Sequence, residues 1–249
     1  MDTLRWQEYF ERNRTSRVEP DWERPCPEPA RVQRALGRSL AHFQLGESGD
    51  GKTLLELARA AGQPRYHDAL ALFVAEENEH ARLLARLTDR YGGRPVVRHW
   101  THSWFRALRH AGGLELELSV LVCAELVGNA YYRLLAQKTV DPVLRDACAL
   151  ILRDEAQHVR FHIDHLRLRH ADWLPLAREL WTVRLQIMLM AAAWVAWLDH
   201  GACLRALGAA RSEFFREVRR EGVAFLAGLA APQLAAAPGP VAAIPPGSS

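Results

Sequence analysis

Apolar side chains recur at helical spacing through most of the chain, and no stretch alternates strictly as a half-buried strand would. Residues 1–30 are polar, with Pro20, Pro25, Pro27 and Pro29. There Trp6, Tyr9 and Phe10 at i, i+3, i+4 predict a strap anchored by one short helix. From Ala30 to about Ala61 the spacing of Leu36, Leu40, Phe43, Leu54, Leu57 and Ala58 is helical. Gly46, Gly49 and Gly51 interrupt it and predict a kink. Gly62 and Pro64 mark a turn, and a second helix runs to Tyr91, where Gly92 and Gly93 stop it. Leu114 to about Thr139 is apolar nearly all round and predicts a central helix. Asp141 and Pro142 form an N-cap and first-turn pair that starts a fourth helix, ending near His170. A fifth is expected from Leu174 or Pro175 to Asp199, and a sixth from Ser212 to Leu229.

The connector from Gly92 to Gly113, with Trp100, Trp104, Phe105 and Leu108, is too long for a hairpin. At roughly 3.3 Å per extended residue it can return along a whole helix. From residue 230 the chain is Ala, Pro, Gly and Ser, the composition of a disordered tail. The expectation is one all-α domain over residues 31–229. The run Leu185 to Leu198 is too short for the roughly 20 residues of a membrane span. It reads as a buried helix, lying across the core or in a homodimer contact.

Composition narrows the function. Among 249 residues, 32 Lys and Arg against 29 Asp and Glu leave a net charge of +3, too small for a dedicated binder of nucleic acid or anionic membrane. Cys26, Cys123, Cys148 and Cys203 show no C-x-x-C spacing, which disfavours zinc ribbons and thioredoxin-like pairs and suits a reducing, cytoplasmic setting. The charged first thirty residues never build the apolar core of a secretory signal.

Two Glu-x-x-His motifs, Glu77 to His80 and Glu155 to His158, lie within strong helical segments, and i, i+3 spacing puts both side chains on one face. Composition alone yields roughly 0.8 such motifs by chance. The stronger signal is that Glu47 precedes Glu77 by thirty residues and Glu125 precedes Glu155 by thirty, so one shift of 78 residues relates the two triplets. This is an internal repeat of two helical hairpins. Each hairpin turns about fifteen residues from both of its carboxylates, so at 1.5 Å per residue the partners meet at one height. Four Glu and two His around one midpoint suit two first-row metals, whose charge offsets carboxylates in a dry core. Glu47 sits amid three glycines, and Asp50 at i+3 could replace or supplement it. Asp154 falls within the arc of Glu155 and His158 and can reach the opposite His80; Glu76 is its repeat equivalent for His158. His162, one turn beyond His158, and Tyr132, seven beyond Glu125, lie on the inward stripes, where a hydrogen-bonded core imidazole and a core Tyr are expected. Gly128 replaces a His at i+3 from Glu125 and leaves that flank uncrowded. Asp199 and His200 read as a polar helix terminus. Residues 46–53 also satisfy the phosphate-loop pattern G-x-x-x-x-G-K-[ST], but helical spacing precedes it and no strand follows.

From about Phe43 to His165 the chain resembles the ferritin-like di-metal carboxylate superfamily, with its order Glu, Glu-x-x-His, Glu, Glu-x-x-His on four helices. The segments FQLGES, AEENEH, CAELVGNAYY and RDEAQHVRFH are particularly similar to a bacterial group known only as ferritin-like domain proteins. The resemblance implies a four-helix bundle with a long crossover between its second and third helices, followed by additional C-terminal helices. It implies Glu47, Glu77, His80, Glu125, Glu155 and His158 as the catalytic metal ligands. Asp154 matches the D-E-x-x-H form of ribonucleotide reductase small subunits, in which the Asp orients a ligand His. The implied activity is a di-iron, or iron and manganese, oxidoreductase. It would use O2 and an external electron donor to oxidise a small organic molecule, as an oxygenase, oxidase or desaturase. A ferroxidase or iron-storage protein, a manganese catalase and a metal-free helical interaction protein are the alternatives.

Overall fold

The computed structural model describes residues 2–48, 51–62, 64–96 and 113–231. The hydrophobic connector residues Trp100, Trp104, Phe105 and Leu108, the alternative ligand Asp50 and most of the expected tail lie outside them. The described residues are helical, with no strand among them: α1 (Thr3–Thr15), α2 (Ala30–Glu47), α3 (Lys52–Ala60), α4 (Pro64–Arg90), α5 (Gly113–Lys138), α6 (Pro142–Arg169), α7 (Pro175–Ala206) and α8 (Arg211–Ala230).

Local chemistry accounts for most boundaries. Asp2 caps α1 by accepting from the Arg5 amide, and Trp6, Phe10 and Asn13 form its inward stripe. Asp141 caps α6 by accepting from the Val143 amide, with Pro142 in the first turn. The expected kink between Ala30 and Ala61 is a full break. α2 ends on Glu47, and Gly51 takes the left-handed conformation (φ 59°) before α3 starts. Its α-carbon lies so close to Val74 of α4 that a Cβ would fall 2.5 Å from a methyl group, so this corner is folded down onto α4.

α2 packs along α4 and α5 along α6, while α5 also touches α3, α7 and α8; α1 lies on α4. Arg90 and Tyr91, at the end of α4, bond Asp141 at the start of α6. At the opposite end of the α5–α6 pair, Glu115 bonds Arg169 and His170. The end of α4 and the start of α5 therefore lie at opposite ends of the α5–α6 pair, about 39 Å apart along it.

α7 corrects two expectations. It continues to Ala206, so Asp199 and His200 lie inside a helix rather than at its terminus. Its apolar run is not buried all round, because Ile187, Trp194 and Leu198 are exposed while Leu185, Leu189 and Trp197 are buried. α5 and α7 are both long and apolar enough to cross a membrane. α5 is largely buried inside the protein, however, whereas α7 buries less than half of its most apolar window.

Candidate metal centre

α4 carries Glu76, Glu77 and His80 inward, and α6 carries Asp154, Glu155 and His158. One donor atom from each of Glu77, His80, Glu155 and His158 falls within 4.8 Å of the other three. The two imidazole rings are 5.4 Å apart. His158 Nδ1 lies 2.8 Å from Glu77 Oε1 and 3.5 Å from Glu155 Oε2, and His80 Nδ1 lies 3.1 Å from Glu155 Oε1. Close as they are, Glu77 Oε1, His80 Nδ1, Glu155 Oε2 and His158 Nδ1 are buried without a hydrogen bond. Buried polar atoms ordinarily have partners, so four orphans aimed at one point are a donor set.

Glu125 and Glu47 flank this quartet. Glu125 Oε2 is 3.9 Å from His158 Nδ1, and its carboxyl lies beside that of Glu155. Glu47, the last residue of α2, lies beside Glu77 and accepts from Tyr132 Oη at 2.9 Å. All six residues nominated by the repeat therefore meet in one place.

The electrostatics follow from four carboxylates in a dry interior. Burial, with the charges of Glu77 and Glu155 beside them, pushes the Glu47 and Glu125 carboxyls well above the usual range. Burial opposes the charge on Glu155 too, but the neighbouring Glu125 carboxyl and the two histidines hold it well below. Burial also disfavours the His80 imidazolium, yet Asp154 and Glu155 outweigh it and push the pKa up to about 10. His158 rises likewise, against burial, through Glu155 and Glu77. Protons thus occupy the cluster wherever positive charge is lacking, and divalent cations suit the same positions.

The outer nitrogens are held crosswise. His158 Nε2 meets Glu76 Oε2 of α4 at 2.8 Å, and His80 Nε2 meets Asp154 Oδ2 of α6 at 3.3 Å. Each Nε2 thereby faces an acceptor, which leaves each Nδ1 to the donor set.

Behind these carboxylates lies an arrangement the sequence did not suggest. Asn13 Nδ2 donates to Glu76 Oε1 at 2.5 Å and to Asp154 Oδ1 at 2.8 Å. Arg17 Nη2 is 3.0 Å from Glu76 and 2.8 Å from Asp154, and Arg153 donates to Asp154 and to the Asn13 carbonyl. Two guanidinium groups therefore match the two carboxylates, and the pKa of Asp154 is depressed despite burial, first by its bond to His80. Asn13 continues the Trp6–Phe10 stripe at i+7, and a buried amide on an apolar stripe was the available signal.

His162 does not join the quartet. It is buried against Phe73, ring centroids 5.1 Å apart, and neither ring nitrogen is hydrogen-bonded, unlike the bonded core imidazole expected. Burial pushes its pKa down to about 3, so the ring is neutral. Tyr132 is a core residue that also faces the centre through its bond to Glu47.

A cavity of about 250 Å³ opens on Glu47, Glu77, Glu125 and Glu155. Its walls are mostly apolar, with Phe43, Leu121, Ala124 and Ala196 among them, and Gly128 adds no side chain. His42, Asp199 and His200 also line it, and His200 Nδ1 bonds Ser39 Oγ at 2.8 Å. No model of a known protein family matches the chain, and neither a curated protein nor a solved structure matches it.

Proposed function

We propose that the chain is a ferritin-like di-metal oxidoreductase that uses O2 to oxidise a small organic molecule, with electrons from an external donor, in a cytoplasmic setting. The observation that carries the reading is the convergence of four orphaned Nδ1 and carboxylate atoms on one point, with Glu47 and Glu125 beside them. Two pairs of packed helices, α2 with α4 and α5 with α6, and a long connection between them support the ferritin-like assignment.

Glu77, His80, Glu155 and His158 would hold the metals, with Glu47 and Glu125 completing the set. Iron, or iron with manganese, suits this mixture of imidazole and carboxylate. When bound and reduced, such a pair supplies the electrons that activate O2. The chain's own residues supply the rest. Tyr132 holds a proton 2.9 Å from Glu47 Oε1, so it can supply one to that carboxylate. Apolar walls keep bulk water from the carboxylates, and the cavity gives an organic molecule of modest size a place against them. That cavity favours this reading over iron storage or peroxide disproportionation, which need no organic substrate.

Anaerobic loading with Fe(II) or Mn(II), metal analysis and O2 exposure under optical observation test the proposal. Two metals per chain and reductant-dependent O2 consumption are expected. Glu155→Ala and His158→Ala should abolish that consumption while helical content persists, since apolar packing holds the bundle. Normal consumption in both variants would sink the assignment.

A further inference from the structure

α7 has two apolar faces; its own chain buries one and reaches the other only at Met190 and at Trp194, whose ring meets Phe215 of α8. Trp181, Leu185, Leu189 and Ala192 are buried in the core. On the other side lie Leu176 (65 % exposed), Leu180 (64 %), Val183 (53 %), Ile187 (66 %), the half-buried Met190 and Trp194 (48 %). Their intervals of four, three, four, three and four residues repeat every 3.5, the period of a two-stranded coiled coil. A face turned to lipid has no need of that period.

We propose that a second copy of this chain covers this seam, with the two α7 helices parallel and in register. Charge fixes the direction. Exposed Glu179 immediately precedes the seam residue Leu180, and exposed Arg184 immediately follows Val183. Five residues apart on opposite flanks, they are placed so that in a parallel pair each Glu179 faces Arg184 of the partner subunit, twice by symmetry. An antiparallel pair has no such match. Area agrees: the exposed seam side chains and Leu198 (70 % exposed) each leave on the order of 100 Å² in water. That is roughly 600 Å² per copy, near the ~800 Å² per partner of a stable interface.

The full chain should sediment as a dimer without detergent, and Ile187→Asp should give a monomer with unchanged helical circular dichroism. Glu179→Arg should weaken the dimer roughly tenfold, as should Arg184→Glu, and the double exchange should restore it. With Cys26→Ser as background, Leu180→Cys and Met190→Cys should each cross-link to themselves under mild oxidation, which only a parallel in-register pair permits. A monomeric wild type, alone or bound to phosphatidylcholine vesicles, overturns the proposal. So does a dimer indifferent to Ile187→Asp, one in which the double exchange fails to rescue, or one in which either cysteine fails to cross-link. None of these readouts depends on metal, so the dimer and the metal centre stand or fall separately.

Discussion

The amide of Asn13 donates to both Glu76 and Asp154, so one side chain from α1 steadies the acceptors of both histidines. Replacing Asp154 by Asn keeps the shape but weakens the acceptor at His80 Nε2. Metal affinity, read by competition with a chromophoric chelator, should fall about 10–100-fold. Asn13→Ala acts one bond further out and should cost less, about tenfold, with the helical signal unchanged. Wild-type affinity in Asn13→Ala would remove α1 from any part in the centre. The six flanking and converging residues were legible because a repeat of 78 residues, the Glu-x-x-His spacing and the distance to each turn all reach the same point. Asn13 and Arg17 were not. They arrive from 59 and more residues away through the packing of α1 on α4, and no spacing along the chain encodes that contact.

Asp141 joins two elements: it caps α6 and binds Arg90 and Tyr91 at the end of α4. Asp141→Ala should therefore cost about 2–4 kcal/mol in urea unfolding, combining a lost cap with two unpartnered donors. Burial resists the charge on this carboxylate, but the bonds to Arg90 and Tyr91 hold its pKa below the ordinary Asp value. Its contribution is thus complete above about pH 4 and lost as pH falls through the depressed folded value. Asp141→Asn should lose that part of the acid dependence. Where α2 crosses the end of α4, a Cβ on Gly37 would lie 3.0 Å from the backbone of Gly93 and Tyr91. Backbone cannot yield as a side chain can, so Gly37→Ala should cost about 1–3 kcal/mol; a neutral result would mean the helices separate freely. Caps such as Asp141 with Pro142 were readable because they act within a few residues. The two-faced burial of α7 was not, because a helix rich in apolar residues on every side does not say which face its own chain covers.

Across the molecule, α5 is the hub, packed against α3, α6, α7 and α8, while the donor set bridges α4 and α6. Those two helices barely touch otherwise, so what joins them at mid-height is largely the centre itself. Each lends the other the acceptor behind its histidine: Glu76 of α4 serves His158, and Asp154 of α6 serves His80. On the di-metal reading this exchange would tie the two binding events together: a first cation would fix α4 and α6 against each other and hold both imidazoles, so a second would meet ligands already held. Loading should then be cooperative: titration of the metal-free chain with Mn(II) should give a Hill coefficient above 1, with little half-filled protein at the midpoint. Two independent, unequal sites would instead yield a shallow curve, and the crossing of the histidine partners would have no thermodynamic expression.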